Sequence, residues 1–425
     1  MTETEKQSAY FDALRKPFRK LCRLRFLNPD GSTAFMLDND HNLERNRAFI
    51  EEGTISENWQ NGQRRTVDVT LSNIDGQFDY NVNNLWFGTE IAVDEGLVLP
   101  NGEEYYLPQG VFLIQEPEET YSPNEGRRIQ LNLVDKWAML DGTLYGNLES
   151  TYEIPVEQES DIFSPMKALL SEDKGNGYPL DRVPPVFTEY YNGKYQTYTN
   201  GNVYPLTRIP YTMRVDSESG TVADVITMLA GVVNAWVGYD VSGALRIDAS
   251  QDDIADETKP VTWQFRMDET QITGLTYVNK NTEVYNDYIV LGDQLEDFSQ
   301  PSGRAQNLDE NSDTNVQTIG RKTLRVNKNG FGTDTQCQDY AAWKLKRATV
   351  LQKSVSVSCS QILHVDGNDL ITIVRTDKEG SPEERHLVTG FSRPLTGTED
   401  MTIQCTSVND FPKATITSWP ENPET

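Results

Sequence analysis

From residue 20 to about residue 145, apolar side chains alternate with polar ones in short runs, and each run stops at a turn signal. Alternation of period two puts successive side chains on opposite faces of an extended chain, so each run can bury one face of a sheet. The first run is Cys22, Leu24 and Phe26, with Arg23 and Arg25 turned outward. Further runs cover 33–37, 65–71, 90–93, 104–107, 111–115 and 128–134. Asn28-Pro29-Asp30-Gly31, Asp75-Gly76, Asn101-Gly102 and Gly126 supply turn chemistry. Many short strands at this spacing predict a barrel or a sandwich.

Ahead of these strands, Leu14, Phe18 and Leu21 are spaced as one face of a short helix that Pro17 limits. Residues 146–350 read as mixed. Ser164-Pro165 starts a short helix through Leu170, and a Tyr- and Asn-rich loop covers 174–203. The best helix opens at Thr221-Val222-Ala223-Asp224, a capping-box pattern. Val222, Val225, Ile226, Leu229, Val232, Val233 and Trp236 form its apolar face over four turns, and a hairpin turning at Ser242-Gly243 follows. Residues 297–318 read as an exposed loop. A second helix begins near Asp334, with Cys337, Ala341, Leu345 and Ala348 on one face. Strands return at 355–359, 370–374, 385–390 and 401–407.

The first and last β regions repeat one order of signals. VDVTL, FGTEIAV, EYYLPQGVFLI and RRIQLNLVD in the first correspond to SVSVSCS, HVDGNDLITIV, RHLVTGFSRPL and MTIQCTSV in the last, with an acidic hairpin in each. Gly-Val-Phe at 110–112 is matched with Gly-Phe-Ser at 390–392. The expected fold class is mainly β with an α+β insertion: two tube-like β-barrels flanking a mixed helix and strand middle. The expected division is 1–20 N-terminal helical arm, 21–145 first barrel, 146–260 α+β insertion, 261–350 mixed strand, loop and helix domain, 351–415 second barrel and 416–425 flexible tail.

The chain has 425 residues, 65 acidic against 38 basic, for a formal net charge of −27. A balance this acidic repels phosphate backbones and argues against a specific DNA binder. Seven Trp, 19 Tyr and 15 Phe argue equally against a disordered acidic chain. Arg15, Lys16, Arg19, Lys20, Arg23 and Arg25 are a local exception, read as a solvated face meeting an acidic neighbouring subunit. The most apolar stretch, 222–239, is broken by Asp224, Thr227 and Asn234, so no membrane span is expected. Met1 to Tyr10 is polar and reads as no secretory signal.

No catalytic, cofactor or metal site is expected. Cys22, Cys337, Cys359 and Cys405 lack metal-ligand spacing and read as buried thiols. His41, His364 and His386 are isolated, and the one sequence-near pair, Cys359 with His364, reads as structural. Asp38-x-Asp40-x-Asn42 opens like a calcium loop but has Leu43 and Phe49 where Gly and Glu are needed. Tyr190, Tyr191, Tyr195 and Tyr198 offer rings to a sugar or to a protein, and the subunit-contact reading is preferred.

The chain resembles phage tail hub proteins, the baseplate hubs and tail-tip hubs of tailed bacteriophages. The residues carrying the likeness are Asn61-Gly62-x-Arg64-x-x-Val67-Asp68-Val69-Thr70-Leu71-x-Asn73, Leu85-Trp86-Phe87-Gly88 and Gly110-Val111-Phe112-Leu113-Ile114. Leu133-Val134-Asp135-Lys136-Trp137, Tyr340-Ala341-Ala342-Trp343-Lys344-Leu345 and Gly367-Asn368-Asp369-Leu370-Ile371 add to it. The resemblance implies a homotrimer in the virion tail tip, assembled in the host cytoplasm. Its implied partners are the tail tube or distal tail ring, spike, fibre or other tip proteins, and a tape measure protein, with genomic DNA passing through unbound. Many tail-tip hubs carry a C-terminal cell-wall hydrolase, whereas this chain stops soon after its last barrel, so such an enzyme is expected on a separate polypeptide. The rival expectation is a secreted multi-module carbohydrate-binding or carbohydrate-active protein.

Overall fold

The structure, a computed structural model, describes residues 2–39, 48–59, 62, 64–79, 88–123, 126–148, 154–157, 159–173, 175, 177–197, 203–209, 213–215, 220–249, 259–279, 284–295, 298–328, 330–350, 353–408 and 414–417. Its first element, α1 (Glu3–Leu14), starts with a capping box between Thr2 and Glu5. The helix stops ahead of Pro17, and Tyr10, Ala13 and Leu14 are its buried residues. Phe18 and Leu21 therefore do not continue its face, contrary to expectation. Leu21 belongs to the first strand.

Seven strands follow: β1 (Lys20–Leu27), β2 (Thr33–Asp38), β3 (Phe49–Asn58), β4 (Arg65–Ser72), β5 (Glu90–Val98), β6 (Glu104–Ser122) and β7 (Gly126–Asp135). In β4 the alternation works as read: Val67, Val69 and Leu71 are buried while Asp68 faces solvent. β3 escaped the sequence reading because a bulge between Ile50 and Glu52 shifts its period midway. β5 runs past Val93 because Asp94 and Glu95, which look like loop residues, are buried against basic side chains. The two expected strands at 104–107 and 111–115 are one strand, β6, with its register shifting around Gln109.

The insertion holds β8 (Ile154–Val156), α2 (Phe163–Ser171), β9 (Val186–Phe187), β10 (Tyr195–Thr197), β11 (Val203–Pro205), β12 (Met213–Val215), α3 (Val222–Val232), β13 (Ala235–Tyr239) and β14 (Leu245–Ala249). Thr221 and Asp224 form the expected capping box of α3. The helix ends at Val232 after three turns, and Trp236 lies on β13. The remaining elements are β15 (Val261–Arg266), β16 (Ile272–Asn279), β17 (Asp287–Leu291), β18 (Ser302–Asn307), α4 (Val316–Ile319), β19 (Thr323–Asn327), α5 (Asp334–Val350), β20 (Lys353–Cys359), β21 (Leu370–Val374), β22 (Glu383–Pro394), β23 (Met401–Ser407) and β24 (Ala414–Thr417).

The expected loop at 297–318 contains β18, whose residues 303–307 are buried. Its polar side chains concealed it, yet the buried Arg304 and Asn307 are satisfied internally. Arg304 Nε donates to Asp287 at 2.8 Å, and Asn307 donates to Ser312 at 2.8 Å. β24 pairs with β18, in a sheet ordered β19-β17-β18-β24 on which α5 packs through Cys337, Ala341 and Leu345. Ala348's surroundings, and residues 418–425 of the expected tail, lie outside the described side chains and residues.

Both β regions share one sheet, ordered β16-β20-β23-β22-β3-β4-β7-β6-β5-β1-β2, with β21 on β22 and β15 on β21. No closed barrel forms among the described residues. One hydrophobic core runs through both regions, from Leu24 and Val67 to Val357 and Ile403.

The pairings repeat at the level of register. β3-β4-β7-β6-β5 and β16-β20-β23-β22-β21 are both antiparallel throughout. The bulge at Ile50/Glu52 opposite β4 recurs at Ile272/Gly274 opposite β20, and the bulge at Ile114/Glu116 opposite β7 recurs at Val388/Gly390 opposite β23. Leu113 and Leu387 are the last residues of their strands to pair with β5 and β21. This register corrects one expected correspondence: Gly390 matches Glu116, not Gly110. The two copies part at their far edge, where β1 pairs antiparallel with β5 but β15 pairs parallel with β21.

Candidate functional site

The two copies meet where residues 390–394 of β22 lie beside residues 54–58 of β3, from Gly390↔Asn58 to Pro394↔Thr54. Gly390 is required there, because a Cβ would collide with the Glu57 carbonyl. Ser56 and Ser392 face each other across this seam, with Oγ atoms 3.0 Å apart.

Two ionic clusters flank the seam. In the first, Glu95 of β5 is fully buried between Lys20 Nζ at 2.7 Å and Arg393 Nε at 2.6 Å. Arg393 also donates to Gln109, the residue at the β6 register shift, and to the Ile362 carbonyl at 3.3 Å. Lys20 reaches Gln361 and the Pro394 carbonyl. Burial pushes Glu95 upward, but Arg393 and Lys20 outweigh it and hold the carboxylate below its usual value.

In the second cluster, Glu57 pairs with Arg64 and lies 3.6 Å from Arg65, while Arg65 pairs with Asp366. Asp135 at the end of β7 accepts the backbone N–H groups of Arg64 and Arg65 at 2.8 and 3.0 Å. Burial, with Asp366 nearby, raises Glu57 to about 7. For Asp366, burial raises and Arg65 lowers, and the lowering prevails. Arg64 and Arg65 both donate to the Tyr239 carbonyl of the insertion, at 3.0 and 3.3 Å.

Trp59 and Trp236 stack at 3.9 Å, nearly parallel, and the Arg64 guanidinium lies 4.0 and 4.3 Å from the two ring centroids. These rings edge an open cleft of about 430 Å³ with Tyr190, Arg246, Asp366 and Asp369. Within it each tryptophan covers one face of the other. Asp369 accepts the Asp366 N–H at 2.9 Å, and burial lifts it to about 6. A third buried pair, Lys136 with Asp181, fastens the turn that follows β7 to the insertion, with Tyr239 donating to Asp181 at 2.8 Å.

The residues singled out in the sequence are dispersed. Tyr191 is buried, Tyr190 packs against Lys194, Tyr195 is exposed on β10 and Tyr198 lies outside the described residues. They form no single described ring platform. Cys359 is in the core of β20, where burial pushes its thiol up, while His364 is 3.0 Å from the Tyr10 hydroxyl and 3.4 Å from the Thr262 carbonyl. Burial lowers His364 to about 4. Asp40 and Asn42 of the calcium-like stretch, His41 and Leu85-Trp86-Phe87 lie outside the described residues. Among the described residues no group of His, Cys, Asp and Glu is arranged to hold a metal ion, and no helix is long and apolar enough to cross a membrane.

The basic run near the N-terminus differs from expectation. Lys20 is buried on Glu95, Arg23 and Arg25 meet Asp94 at 2.8 and 2.7 Å, and Arg15 meets Glu269 at 3.1 Å. Much of that charge is neutralised inside the chain. Sequence reasoning missed the seam clusters because the pairs that cross the seam, Glu95 with Arg393 and Arg65 with Asp366, lie some 300 positions apart.

His386, 1% exposed on β22, supplies a pH-dependent test. Burial lowers its pKa from 6.5 to about 4, so the folded chain holds it neutral where the unfolded chain protonates it. The stability this lends is present above 6.5 and is lost as the pH falls through about 4. Its share is on the order of 3 kcal/mol. His386→Leu is expected to lose less unfolding free energy than the parent between pH 7 and pH 4, measured in urea. Parallel losses would contradict the assignment.

No protein-family model matches the chain, and no curated protein matches its sequence. Solved structures do match. The tail protein from Neisseria meningitidis MC58 is 11% identical with a TM-score of 0.57, over 92% of this chain and 96% of that one. The 43 kDa tail protein of prophage MuSo2 from Shewanella oneidensis is 11% identical with a TM-score of 0.55, over 91% and 98%. The prophage tail protein gp18 from Listeria monocytogenes EGD-e is 7% identical with a TM-score of 0.51, over 92% and 94%. The chain therefore shares the fold of phage tail proteins over nearly its whole length.

Proposed function

We propose that this protein is a structural, non-enzymatic hub at the distal end of a bacteriophage tail. Three copies join a six-fold tail tube or distal tail ring to a three-fold tip of spike or fibre-bearing proteins. The observation supporting this reading is the register-level repeat of β3-β4-β7-β6-β5 in β16-β20-β23-β22-β21. Two alike β units per chain give six in a trimer, matching six surfaces with three polypeptides. In this reading the second unit draws its strands from 261–279 and 353–407, and each unit curves into a tube wall with its neighbours. The insertion, fastened by Lys136 and Asp181, forms a narrower three-fold layer away from the tube.

The net charge of −27 suits a channel wall that DNA slides past, since carboxylates repel phosphates. The protein then belongs to the virion, at the tail tip, after assembly in the host cytoplasm. Native mass measurement is expected to give three times the 48.1 kDa chain mass. A stable six-copy ring, or a chain that stays single at high concentration, would refute the trimer.

A further inference from the structure

The seam inside the chain contains one copy of a junction that the repeat calls for twice. Residues 390–394 of β22 pair with β3 on the edge that β21 has just vacated, while β23 holds the opposite edge. The matching stretch of β6 is 116–120. There β7 holds one edge, β5 has ended at Leu113, and among the described residues no strand takes the other edge. Residues 115–121 are exposed. The strand that corresponds to β3 is β16, paired with β20 on one edge and with no described strand on the other. Its Tyr277 and Val278 are 42% and 44% exposed. β16 carries no charged side chain, and an uncharged open strand edge is normally covered.

We infer that β6 of one copy pairs antiparallel with β16 of a second copy of this chain, in the register that β22 and β3 display within one chain. The inference rests on the trimer reading and deepens it. Matching the bulges carries Ser392 onto Glu118 and Ser56 onto Val278, so Glu118 faces Val278 of the next copy. By the same register Glu119 faces Tyr277 of the next copy, and Thr120 faces Thr276. The contact is head-to-tail, joining different edges of the two copies, and closes after three copies if the ring holds six units. Thr389 and Leu395 turn their backbone groups toward β3, since Thr389 O accepts from Trp59 and Leu395 N donates to Gly53. Phe391, between them in period two, does the same, and its counterpart is Pro117. The junction between copies thus lacks one N–H donor that the internal seam has, which makes it the weaker of the two.

The test is disulfide trapping with the full chain. Directly opposed residues of an antiparallel pair are close enough for a disulfide. The four native cysteines are buried, so the background is silent. Under mild oxidation, E118C/V278C is expected to give a non-reducing ladder of one, two and three chain masses that ends at three. E118C and V278C alone are expected to remain at one chain mass. S56C/S392C, the internal seam, should cross-link within the chain and form no ladder. If the native particle holds three copies and S56C/S392C closes while E118C/V278C does not, this register is overturned and the trimer stands. Cross-linked dimers of either single variant, or a ladder running past three, would overturn the head-to-tail closure. A chain that stays single in solution would instead overturn the trimer reading itself.

Discussion

Glu95→Ala is expected to cost about 3–5 kcal/mol of unfolding free energy, read as a shift of the urea midpoint. Glu95 is fully buried and serves two buried cations, Lys20 on β1 and Arg393 on β22. Removing it leaves both uncompensated and close together in the core, where each charge costs several kcal/mol to hold away from water. The loss falls where β1 and β5 of the first unit meet β22 of the second. A Lys20→Met, Glu95→Leu, Arg393→Met triple variant removes the charges together and is expected to recover most of the loss. A surface-like loss below about 1 kcal/mol for the single variant would contradict the buried cluster.

The second large effect is expected at Lys136. Its ammonium is fully buried between Asp181 and the Gly243 carbonyl, the latter at 3.0 Å. Lys136→Ala is expected to cost about 3 kcal/mol, at the low end of the range for breaking a buried pair. Asp181 keeps two donors, the Tyr239 hydroxyl at 2.8 Å and the Val183 N–H at 2.9 Å, which soften the loss. Because Lys136, just after β7, ties the end of that strand to the insertion, protease cleavage between 140 and 250 is expected to quicken before cleavage elsewhere. Uniform cleavage along the chain would argue against a separately fastened insertion.

What the sequence made legible was governed by local periodicity. Val67, Val69 and Leu71, or Val355, Val357 and Cys359, announce their strands because each apolar residue is two positions from the next. Thr221 with Asp224 announces α3 because a capping box is complete within four residues. Elements defined by long-range compensation were not legible. β18 reads as a loop until Asp287 and Arg304 are seen together, and β5 seems to stop at Val93 until Asp94 and Glu95 find their cations. The repeat was visible in the order of signals, but its register was not. The glycines at 110 and 390 suggested one alignment, and the bulges opposite β7 and β23 impose another.

The candidate site followed the same division. Asn61-Gly62-x-Arg64 and Gly367-Asn368-Asp369 drew notice as a resemblance, yet nothing local indicated that Arg65 and Asp366 pair across the seam. Gly367 lies against Trp59 and Glu57, where a Cβ would not fit, and its N–H donates to Glu57 at 3.0 Å. Such contacts join segments some 300 residues apart, and only the folded chain brings them into register.

In the proposed hub, one chain supplies two equivalent wall units and three chains close a ring. Averaged end-on electron microscopy views of the isolated particle distinguish this arrangement from its rivals. Three copies are expected, their inner ring showing six evenly spaced lobes, with only three-fold symmetry in the layer formed by the insertions. A ring of six whole copies, or three lobes without a six-fold inner wall, would contradict it.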